Sequence, residues 1–369
     1  MQQGQPSLFD PIQLGAVRAR NRILMAPMTR GRATRDHVPT ALMRDHYTQR
    51  ASAGLIISEA TGISRQGLGW PYAPGIWSAE QVSAWEPITR SVHDAGGKIV
   101  CQLWHMGRVV HPSFLDGTPP VSCSATTPPG DARTYTGRQT YVEARPLSVQ
   151  EIAAIVQDFA QAALNCRAAG FDGVQLHAGS GYLIDQFLRD GTNRRTDRYG
   201  GSIPNRLRFL LEIIEAISSA LSPEELSVRF SPNAATQGCA DTDPLELFSA
   251  AAGALRGVGL AFLELREPGP AGIFGITDSQ PVSPAVRQRF DGSLVLNEDY
   301  DLAQAQHSLA IGEADAISFG RAFISNPDLP HRLERELPLS ADSRAHWYTP
   351  GARGYTDYPT HDTVDLKHN

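Results

Sequence analysis

The sequence predicts an α/β fold, a single (β/α)8 TIM barrel in which residues 1–369 form one domain. Eight short apolar segments recur along the chain, segments with helical periodicity lie between them, and no change of composition divides the chain. An open doubly wound sheet is the alternative, but it would require a glycine-rich turn after the first strand. The segment 26–30 at that place contains no glycine, so the closed barrel is favoured.

The eight candidate strands are rich in aliphatic and β-branched residues, as expected of parallel strands that are buried on both faces. They lie at 22–28, 54–60, 98–104, 171–177, 226–231, 260–266, 293–297 and 314–319. We expect an N-terminal hairpin before the first of them. Segment 106–146, between the third strand and its helix, is long and rich in Pro, Gly, Ser and Thr, which predicts a loop insertion over the active face.

The helix that follows this insertion has the clearest terminal signals. Ser148 and Glu151 form a capping-box pattern, and Gly170 predicts the end of the helix. Apolar residues share one face of this helix and of the next, namely Ile152, Ile155, Val156, Phe159 and Ala163, and then Leu207, Leu210, Leu211 and Ile214.

A second capping box, Ser78 with Gln81, begins an earlier helix. Pro87 lies inside the same pattern and predicts a kink or a split there, because proline cannot donate the backbone hydrogen bond of a helix interior. Two later helices are predicted to begin with a capping residue followed by proline, at Asp243-Pro244 and Asn326-Pro327.

Composition excludes several classes of function. The net charge of −6 gives no cationic surface for nucleic acid or an acidic membrane, and no apolar run is long enough to span a bilayer. Only Lys98 and Lys367 are lysines, and neither follows a strand, so Schiff-base and Walker-type phosphate chemistry are disfavoured. The N-terminus lacks the apolar core of a signal peptide, and the four cysteines are widely spaced, which together predict a reducing, cytoplasmic location.

The chemistry of such a barrel lies at the carboxyl ends of its strands. The candidate strands deliver mostly neutral polar or aromatic groups there, with no stacked carboxylates, so we predict no metal site. Groups of this kind suit a bound cofactor that carries the reaction itself. The residues at the strand ends are Pro27, Met28, Thr29, Glu59, Ala60, Gln102, Trp104, His105, His177, Ser180, Tyr182, Arg229, Gly320 and Arg321.

At these residues the chain resembles the old yellow enzyme family of FMN-dependent ene-reductases, and within it the pentaerythritol tetranitrate / N-ethylmaleimide reductase branch. The resemblance covers nearly the whole chain. Its matching stretches are NRILMAPMTR (21–30), YTQRASAGLIISEAT (47–61), VCQLWHMGR (100–108), NRRTDRYGGSIPNR (193–206), SFGRAFISNPDL (318–329) and GYTDYP (354–359).

The resemblance implies that FMN is the cofactor and that it binds at the carboxyl ends of the barrel strands. Gln102 would bond the pyrimidine edge of the flavin, and Arg229 would stabilise the negative charge of the reduced ring. Gly320 and Arg321 would hold the phosphate. Thr29 would hydrogen-bond the ring and tune its potential, and the remaining ring contacts would come from Pro27, Met28 and Ala60.

The reaction that the resemblance implies is a ping-pong transfer. NADPH or NADH reduces FMN and leaves, and an activated alkene or nitro compound then takes its place and receives a hydride at the β-carbon. Tyr182 matches the proton donor, since a phenol with an ordinary pKa of about 10 is protonated at neutral pH. His177 would bind the substrate's carbonyl or nitro oxygen. Aromatic pocket positions are matched by Trp70, Trp104 and Tyr348.

Two positions depart from the family pattern. The family places a second histidine or an asparagine three residues after the first substrate-binding histidine, whereas this chain has Ser180. Serine is shorter, so we expect an altered substrate preference. At Glu298 and Asp299, where relatives carry glycines near the phosphate, we expect the carboxylates to face solvent or the next helix, because they would repel a phosphate.

Two alternatives stay open at this point. The chain could be a flavin-free barrel enzyme acting on a phosphorylated substrate, which only the turn at Gly320 and Arg321 supports. It could also be a flavoprotein with little alkene turnover, which the serine at position 180 favours. We expect small-molecule partners only, and a monomer or a small homo-oligomer.

Overall fold

The computed structural model describes residues 5–269, 277 and 279–361. Its strands, numbered in chain order, are β1 (Ile12–Leu14), β2 (Val17–Ala19), β3 (Ile23–Met25), β4 (Leu55–Ile57), β5 (Thr61–Gly62), β6 (Ile99–Trp104), β7 (Val121–Ser122), β8 (Asp131–Thr134), β9 (Gly137–Thr140), β10 (Arg145–Pro146), β11 (Val174–His177), β12 (Leu226–Phe230), β13 (Phe262–Arg266), β14 (Leu294–Asn297) and β15 (Ala316–Phe319).

Eight of these strands close into a parallel barrel, in agreement with all eight predicted strands. Their order is β3-β4-β6-β11-β12-β13-β14-β15, and β15 pairs with β3 to complete the ring. The predicted N-terminal hairpin is β1 with β2, paired antiparallel. The sheet is therefore the (β/α)8 arrangement, with one short extra strand, β5, beside β6.

Ten α-helices accompany the strands in the described part of the chain. They are α1 (Ala41–Thr48), α2 (Ala79–Asp94), α3 (Val149–Ala168), α4 (Leu183–Leu188), α5 (Ile203–Ser218), α6 (Pro244–Leu255), α7 (Ser283–Arg289), α8 (Leu302–Ala310), α9 (Arg321–Ser325) and α10 (Leu329–Glu334). None of the helices in the described ranges combines the length and the apolarity that crossing a membrane requires.

Helix termini follow the predicted capping signals in most places. Both capping boxes form, with the Ser78 and Ser148 side chains each accepting from the backbone three residues on. Asp243 caps α6 in the same way. Gly170 follows α3 with φ of +83°, a left-handed conformation that glycine adopts at low cost.

Two helix predictions are wrong. Helix α2 runs through Pro87 without a break; Pro87 and Ser83, whose carbonyl would lose its hydrogen bond, are both exposed, so water can take over that bond. Asn326 begins no helix. It follows the end of α9 and holds the turn by donating to the Ala322 carbonyl at 2.8 Å, while α10 begins after Asp328.

The barrel interior changes character along its axis because side chains alternate across each strand. At the end nearer the hairpin, inward residues are apolar and pack against β1 and β2, among them Leu24, Ile57, Val100 and Phe262. Two residues further along the same strands, the inward positions are polar, for example Gln102 and Glu264. The carboxyl ends of the strands are therefore the polar end of the barrel.

The segment between β6 and α3 is folded rather than a bare loop. It contains β7 and β10, which pair with each other, and the antiparallel hairpin of β8 and β9. Arg133 on this hairpin lies over the rings of Trp70 and Tyr348, at 5.8 and 4.8 Å from the ring centroids.

Candidate active site

A cavity of about 440 Å³ lies at the carboxyl ends of the barrel strands, within the usual size range of small-molecule sites. It gathers all but two of the residues that the resemblance assigns to the site. The predicted residues that line it are Pro27, Met28, Thr29, Trp70, Trp104, His177, Ser180, Tyr182, Arg229, Gly320, Arg321 and Tyr348.

Ala60 and Gln102 are the two predicted residues that do not reach the cavity lining. Ala60 is 5% exposed and packs in an apolar cluster with Leu68 and Trp104. Gln102 is 1% exposed and donates through Nε2 to Gln175 Oε1 at 2.8 Å, so it lies in the layer of side chains beneath the cavity.

The sequence argument missed several lining residues. Arg266, Asn297 and Ser318 lie at or near the ends of barrel strands, so the rule that finds Arg229 could have found them too. Others have no comparable signal, because they come from loops or from the C-terminal segment. Among them are Thr236, Gln237 and Trp347.

Three aromatic side chains form the centre of the site. The Tyr182 ring lies 4.9 Å from the His177 ring and 4.9 Å from the Trp104 ring, edge to face in both cases. Tyr182 immediately precedes α4 and lies three residues after Gly179. His177 is the last residue of β11. The fold therefore places a phenol and an imidazole side by side at the cavity.

The surroundings hold both groups in their neutral forms. Burial lowers the pKa of His177 well below its usual value, and the positive charges of Arg229 and Arg266 lower it further. Desolvation raises the pKa of the Tyr182 hydroxyl, with smaller contributions from Tyr141 and Tyr348. At neutral pH the site thus offers one imidazole N–H and a phenol that keeps its proton. No described residue bonds to His177 Nδ1.

Ser180 lines the cavity in an unusual backbone conformation. Its φ of +58° lies in the left-handed region, and its Oγ is 3.3 Å from Ser231 Oγ. Among residues other than glycine, asparagine, aspartate and histidine adopt this region most readily. The backbone at position 180 would therefore accept asparagine or histidine in place of the serine that it carries.

Arg229 is held on two sides. Nη1 donates to Glu264 Oε1, and Nη2 donates to Asn297 Oδ1 at 2.7 Å. The Arg229 residue is 5% exposed and contributes to the cavity lining. A guanidinium fixed in this way presents a positive charge to whatever occupies the cavity.

Glu298 contradicts the expectation that it faces solvent or the next helix, whereas Asp299 is exposed, as expected. Glu298 Oε2 accepts from Arg266 Nε at 2.6 Å, and the Glu298 side chain is 8% exposed. Asp299 pairs with Arg321. Both carboxylates contribute to the cavity lining, and each forms an ion pair with an arginine that also lines the cavity.

The outer wall of the cavity comes from distant parts of the chain. Trp70 and Tyr348 lie edge to face with ring centroids 5.4 Å apart. Arg32 holds the C-terminal segment by donating to the Trp347 carbonyl at 2.6 Å, and its guanidinium lies 4.6 Å from the Tyr355 ring centroid. Four arginines but only two carboxylates line the cavity, which favours an anionic group, and the rings of Trp70, Trp104 and Tyr348 in the same lining favour a flat aromatic ligand.

Comparison with known proteins gives consistent matches over nearly the full length. The model of the NADH:flavin oxidoreductase / NADH oxidase family matches residues 7–340. The solved structure of an old yellow enzyme homologue from Zymomonas mobilis is 55% identical with a TM-score of 0.95, covering 96% of this chain and 99% of that chain.

Two further proteins are similar. The structure of morphinone reductase in complex with tetrahydroNAD is 42% identical with a TM-score of 0.92, covering 97% of this chain and 99% of that chain. A putative 12-oxophytodienoate reductase 5 from Oryza sativa subsp. japonica is 40% identical over 351 residues, which is 94% of this chain and 92% of the relative.

Proposed function

The chain belongs to the NADH:flavin oxidoreductase / NADH oxidase family as an old yellow enzyme, an FMN-dependent oxidoreductase that uses NAD(P)H, and we propose that it reduces activated carbon–carbon double bonds. The substrates would be α,β-unsaturated carbonyl or nitro compounds. The observation that carries this proposal is the contact between the His177 and Tyr182 rings in a cavity that Arg229 also lines. Family membership leaves no support for a flavin-free barrel enzyme.

The residues of the cavity fit FMN in size and charge. A Cβ built on Gly320 would meet only Met28 Sδ within 4 Å, at 3.7 Å, so the protein leaves open space beside Arg321. Arg321 and Gly320 would hold the phosphate, and Arg229 would face the part of the ring that gains negative charge on reduction. Ring contacts would come from Pro27, Met28 and Thr29.

Bound FMN would take electrons from NAD(P)H and pass them to the double bond of the second substrate. His177 would donate a hydrogen bond to the carbonyl or nitro oxygen of that substrate, which polarises the double bond toward the oxygen. Tyr182 would donate its proton at the α-carbon. Burial raises the pKa of Tyr182, so its hydroxyl carries the proton at neutral pH.

Ser180 distinguishes this site from one with two long donors. Its hydroxyl lies beside Ser231 Oγ, and a serine cannot reach as far into the cavity as histidine or asparagine. The loss of one hydrogen-bond donor to a developing negative charge typically costs about 2.7–4 kcal/mol of transition-state stabilisation. We therefore propose weaker turnover of small cyclic enones and room for a bulkier substrate.

A panel of alkenes tests the main proposal. The protein is purified with FMN, reduced anaerobically with NADPH or NADH, and mixed with cyclohexenone, larger enones and nitroalkenes. We expect the reduced flavin absorbance to reoxidise in step with loss of the alkene. A protein that is reduced by NAD(P)H but is reoxidised by no alkene on the panel would instead be a flavoprotein with little alkene turnover.

The proposal about Ser180 has its own test. Ser180→Asn and Ser180→His both suit the left-handed backbone at this position, so we expect both variants to fold. We expect a rise of about tenfold or more in kcat/KM for cyclohexenone, and a loss for the largest substrates, since the new side chain fills part of the cavity. Unchanged kinetics on cyclohexenone in both variants would contradict the idea of a missing donor.

A further inference from the structure

A chain of buried polar side chains crosses the barrel beneath the cavity. Gln102 Nε2 donates to Gln175 Oε1 at 2.8 Å, and Gln175 Nε2 donates to Glu264 Oε2 at 2.8 Å. The other oxygen of Glu264 accepts from Arg229 Nη1 and from Ser318 Oγ, the latter at 2.5 Å. All five residues are 5% exposed or less. Both oxygens of this carboxylate are therefore used within the barrel.

Strand register explains why these side chains meet. Gln175 on β11 is the partner of Gln102 on β6, and Arg229 on β12 is the partner of Glu264 on β13. Partner residues on parallel strands project to the same side of the sheet, here the barrel interior. The contact between Arg229 and Glu264 is thus built into the sheet and does not depend on a loop.

Glu264 is absent from the cavity lining among the described residues, whereas Arg229 is present in it. Glu264 can therefore influence a bound molecule only indirectly, by positioning Arg229 or by the electric field of its own carboxylate. The Glu264 side chain is 0% exposed and pairs directly with the guanidinium. A negative charge at that distance in a poorly solvated interior cancels much of the positive potential of the arginine.

We propose that Glu264 is a positioning residue that fixes the Arg229 guanidinium and limits the positive charge that it presents to the cofactor. This inference rests on the proposed function, in which FMN lies against Arg229. Reduced FMN carries more negative charge than oxidised FMN, so the potential at Arg229 stabilises the reduced form more. Glu264 consequently lowers the reduction potential of the bound cofactor relative to a site in which Arg229 has no carboxylate partner.

The test compares two variants that each neutralise one buried carboxylate paired with an arginine. Glu264→Gln removes the charge next to Arg229. Asp241→Asn removes the charge next to Arg206, a buried pair with 7% and 1% side-chain exposure whose two residues do not line the cavity. The midpoint potential of bound FMN is measured anaerobically against reference dyes in the holoproteins, and the Kd of FMN is measured by fluorescence with each apoprotein.

We expect Glu264→Gln to increase the preference for reduced over oxidised FMN by about tenfold, which is about 30 mV for a two-electron couple. Asp241→Asn should leave the potential unchanged, and Glu264→Asp, which keeps the charge, should stay near the wild type. A folded Glu264→Gln protein that binds FMN with the wild-type potential would overturn the inference. An equal rise in Asp241→Asn would do the same.

Folding of the main variant is favoured by the network itself. The amide groups of Gln175 and Gln102 can turn over, so a glutamine at position 264 can still accept from Arg229 and donate to Gln175. If Glu264→Gln nevertheless fails to fold, the double variant Glu264→Gln with Gln175→Glu keeps one carboxylate in the layer and moves it away from Arg229. The inference then requires a potential above that of the wild type.

The outcome for the proposed function is separate. A wild-type protein that binds no FMN, or whose reduced FMN no alkene reoxidises, counts against alkene reduction. A wild-type enzyme that turns over alkenes while Glu264→Gln leaves the potential unchanged counts against the role of Glu264 alone.

Discussion

Tyr182 and His177 would have different tasks in the proposed reaction, and opposite shifts of their pKa values keep both groups neutral. Burial and two nearby arginines keep His177 neutral, so it can donate a hydrogen bond without adding a charge to the cavity. Desolvation keeps the proton on Tyr182. In the proposed reaction this separates binding of the substrate oxygen from delivery of the proton, although the two rings are in contact.

Tyr182→Phe isolates the second task. We expect alkene-dependent reoxidation to slow by about 10²–10⁴-fold, the usual contribution of a positioned proton donor, while reduction by NADPH or NADH keeps its rate. Stopped-flow absorbance of the flavin separates the two half-reactions. Equal slowing of both half-reactions would point to a disturbed cavity and not to a lost proton donor.

In the proposed FMN site, Asp299 would compete with the phosphate for Arg321, since the two side chains form an ion pair. Asp299→Asn should therefore bind FMN more tightly. The gain should be up to about fivefold in Kd, because an ion pair of this exposure is worth about 1 kcal/mol at most. Fluorescence titration of the apoprotein measures it. Asp291→Asn, which removes an exposed carboxylate paired with Arg256, is the matched control. A weaker affinity in Asp299→Asn would show that the carboxylate helps to hold the arginine in place.

The start of α3 offers a test at the scale of one element. The Ser148 hydroxyl accepts from the Glu151 backbone N–H at 3.2 Å, and the Glu151 carboxylate accepts from the Ser148 backbone N–H at 2.9 Å. Ser148→Ala should lower the free energy of unfolding by about 1 kcal/mol, as measured by urea denaturation. Ser219→Ala, at the exposed end of α5, should have a much smaller effect. An equal loss of unfolding free energy in the two variants would mean that the Ser148 cap does not stabilise α3.

Strands and helices were predictable where local chemistry decides them. All eight barrel strands and the caps at Ser78, Ser148 and Asp243 follow from apolar runs and capping residues. Pro87 and Asn326 were misjudged because the outcome depends on exposure and on a tertiary contact. Exposure lets α2 tolerate the proline, and a bond from the Ser340 backbone to Asn326 makes that asparagine part of a turn.

The candidate site was predictable where it lies at strand ends and unpredictable elsewhere. His177 and Arg229 end or nearly end a barrel strand, and both line the cavity. Gln237 and Trp347 reach it from a loop and from the C-terminal segment, and no local pattern indicates that. The orientation of Glu298 also could not be foreseen, because it depends on Arg266, which lies on a different strand.

The whole molecule completes the cavity with its C-terminal segment. Arg32 donates to the carbonyls of His346, Trp347, Gly351 and Arg353, at 2.6–3.4 Å. Arg30 donates to the Trp347 and Gly354 carbonyls at 3.1 and 2.6 Å. These bonds tie the segment that contains Tyr348 to the loop after β3. The loop after the first barrel strand thus fixes the outer wall of the cavity, to which the C-terminal segment contributes Tyr348.

Arg32→Ala should loosen that wall. Charge-assisted hydrogen bonds contribute about 1.5–3 kcal/mol each, so we expect cleavage within 344–359 by a dilute protease to become at least tenfold faster. KM for alkenes should rise more than kcat falls, because Tyr348 shapes the cavity but forms no hydrogen bond with Tyr182, the proposed proton donor. Arg44→Ala, which removes an exposed arginine paired with Asp45, is the control. Unchanged cleavage and KM would mean that the remaining contacts hold the segment alone.

The position of Tyr348 in the chain has a consequence for biosynthesis. A ribosome makes the polypeptide from the N-terminus, so every barrel strand has emerged before the side chain that closes the outer wall. A nascent barrel would therefore have one wall of its mouth missing. The outer wall would be complete only after Arg32 has bonded to the carbonyls of the segment that contains Tyr348.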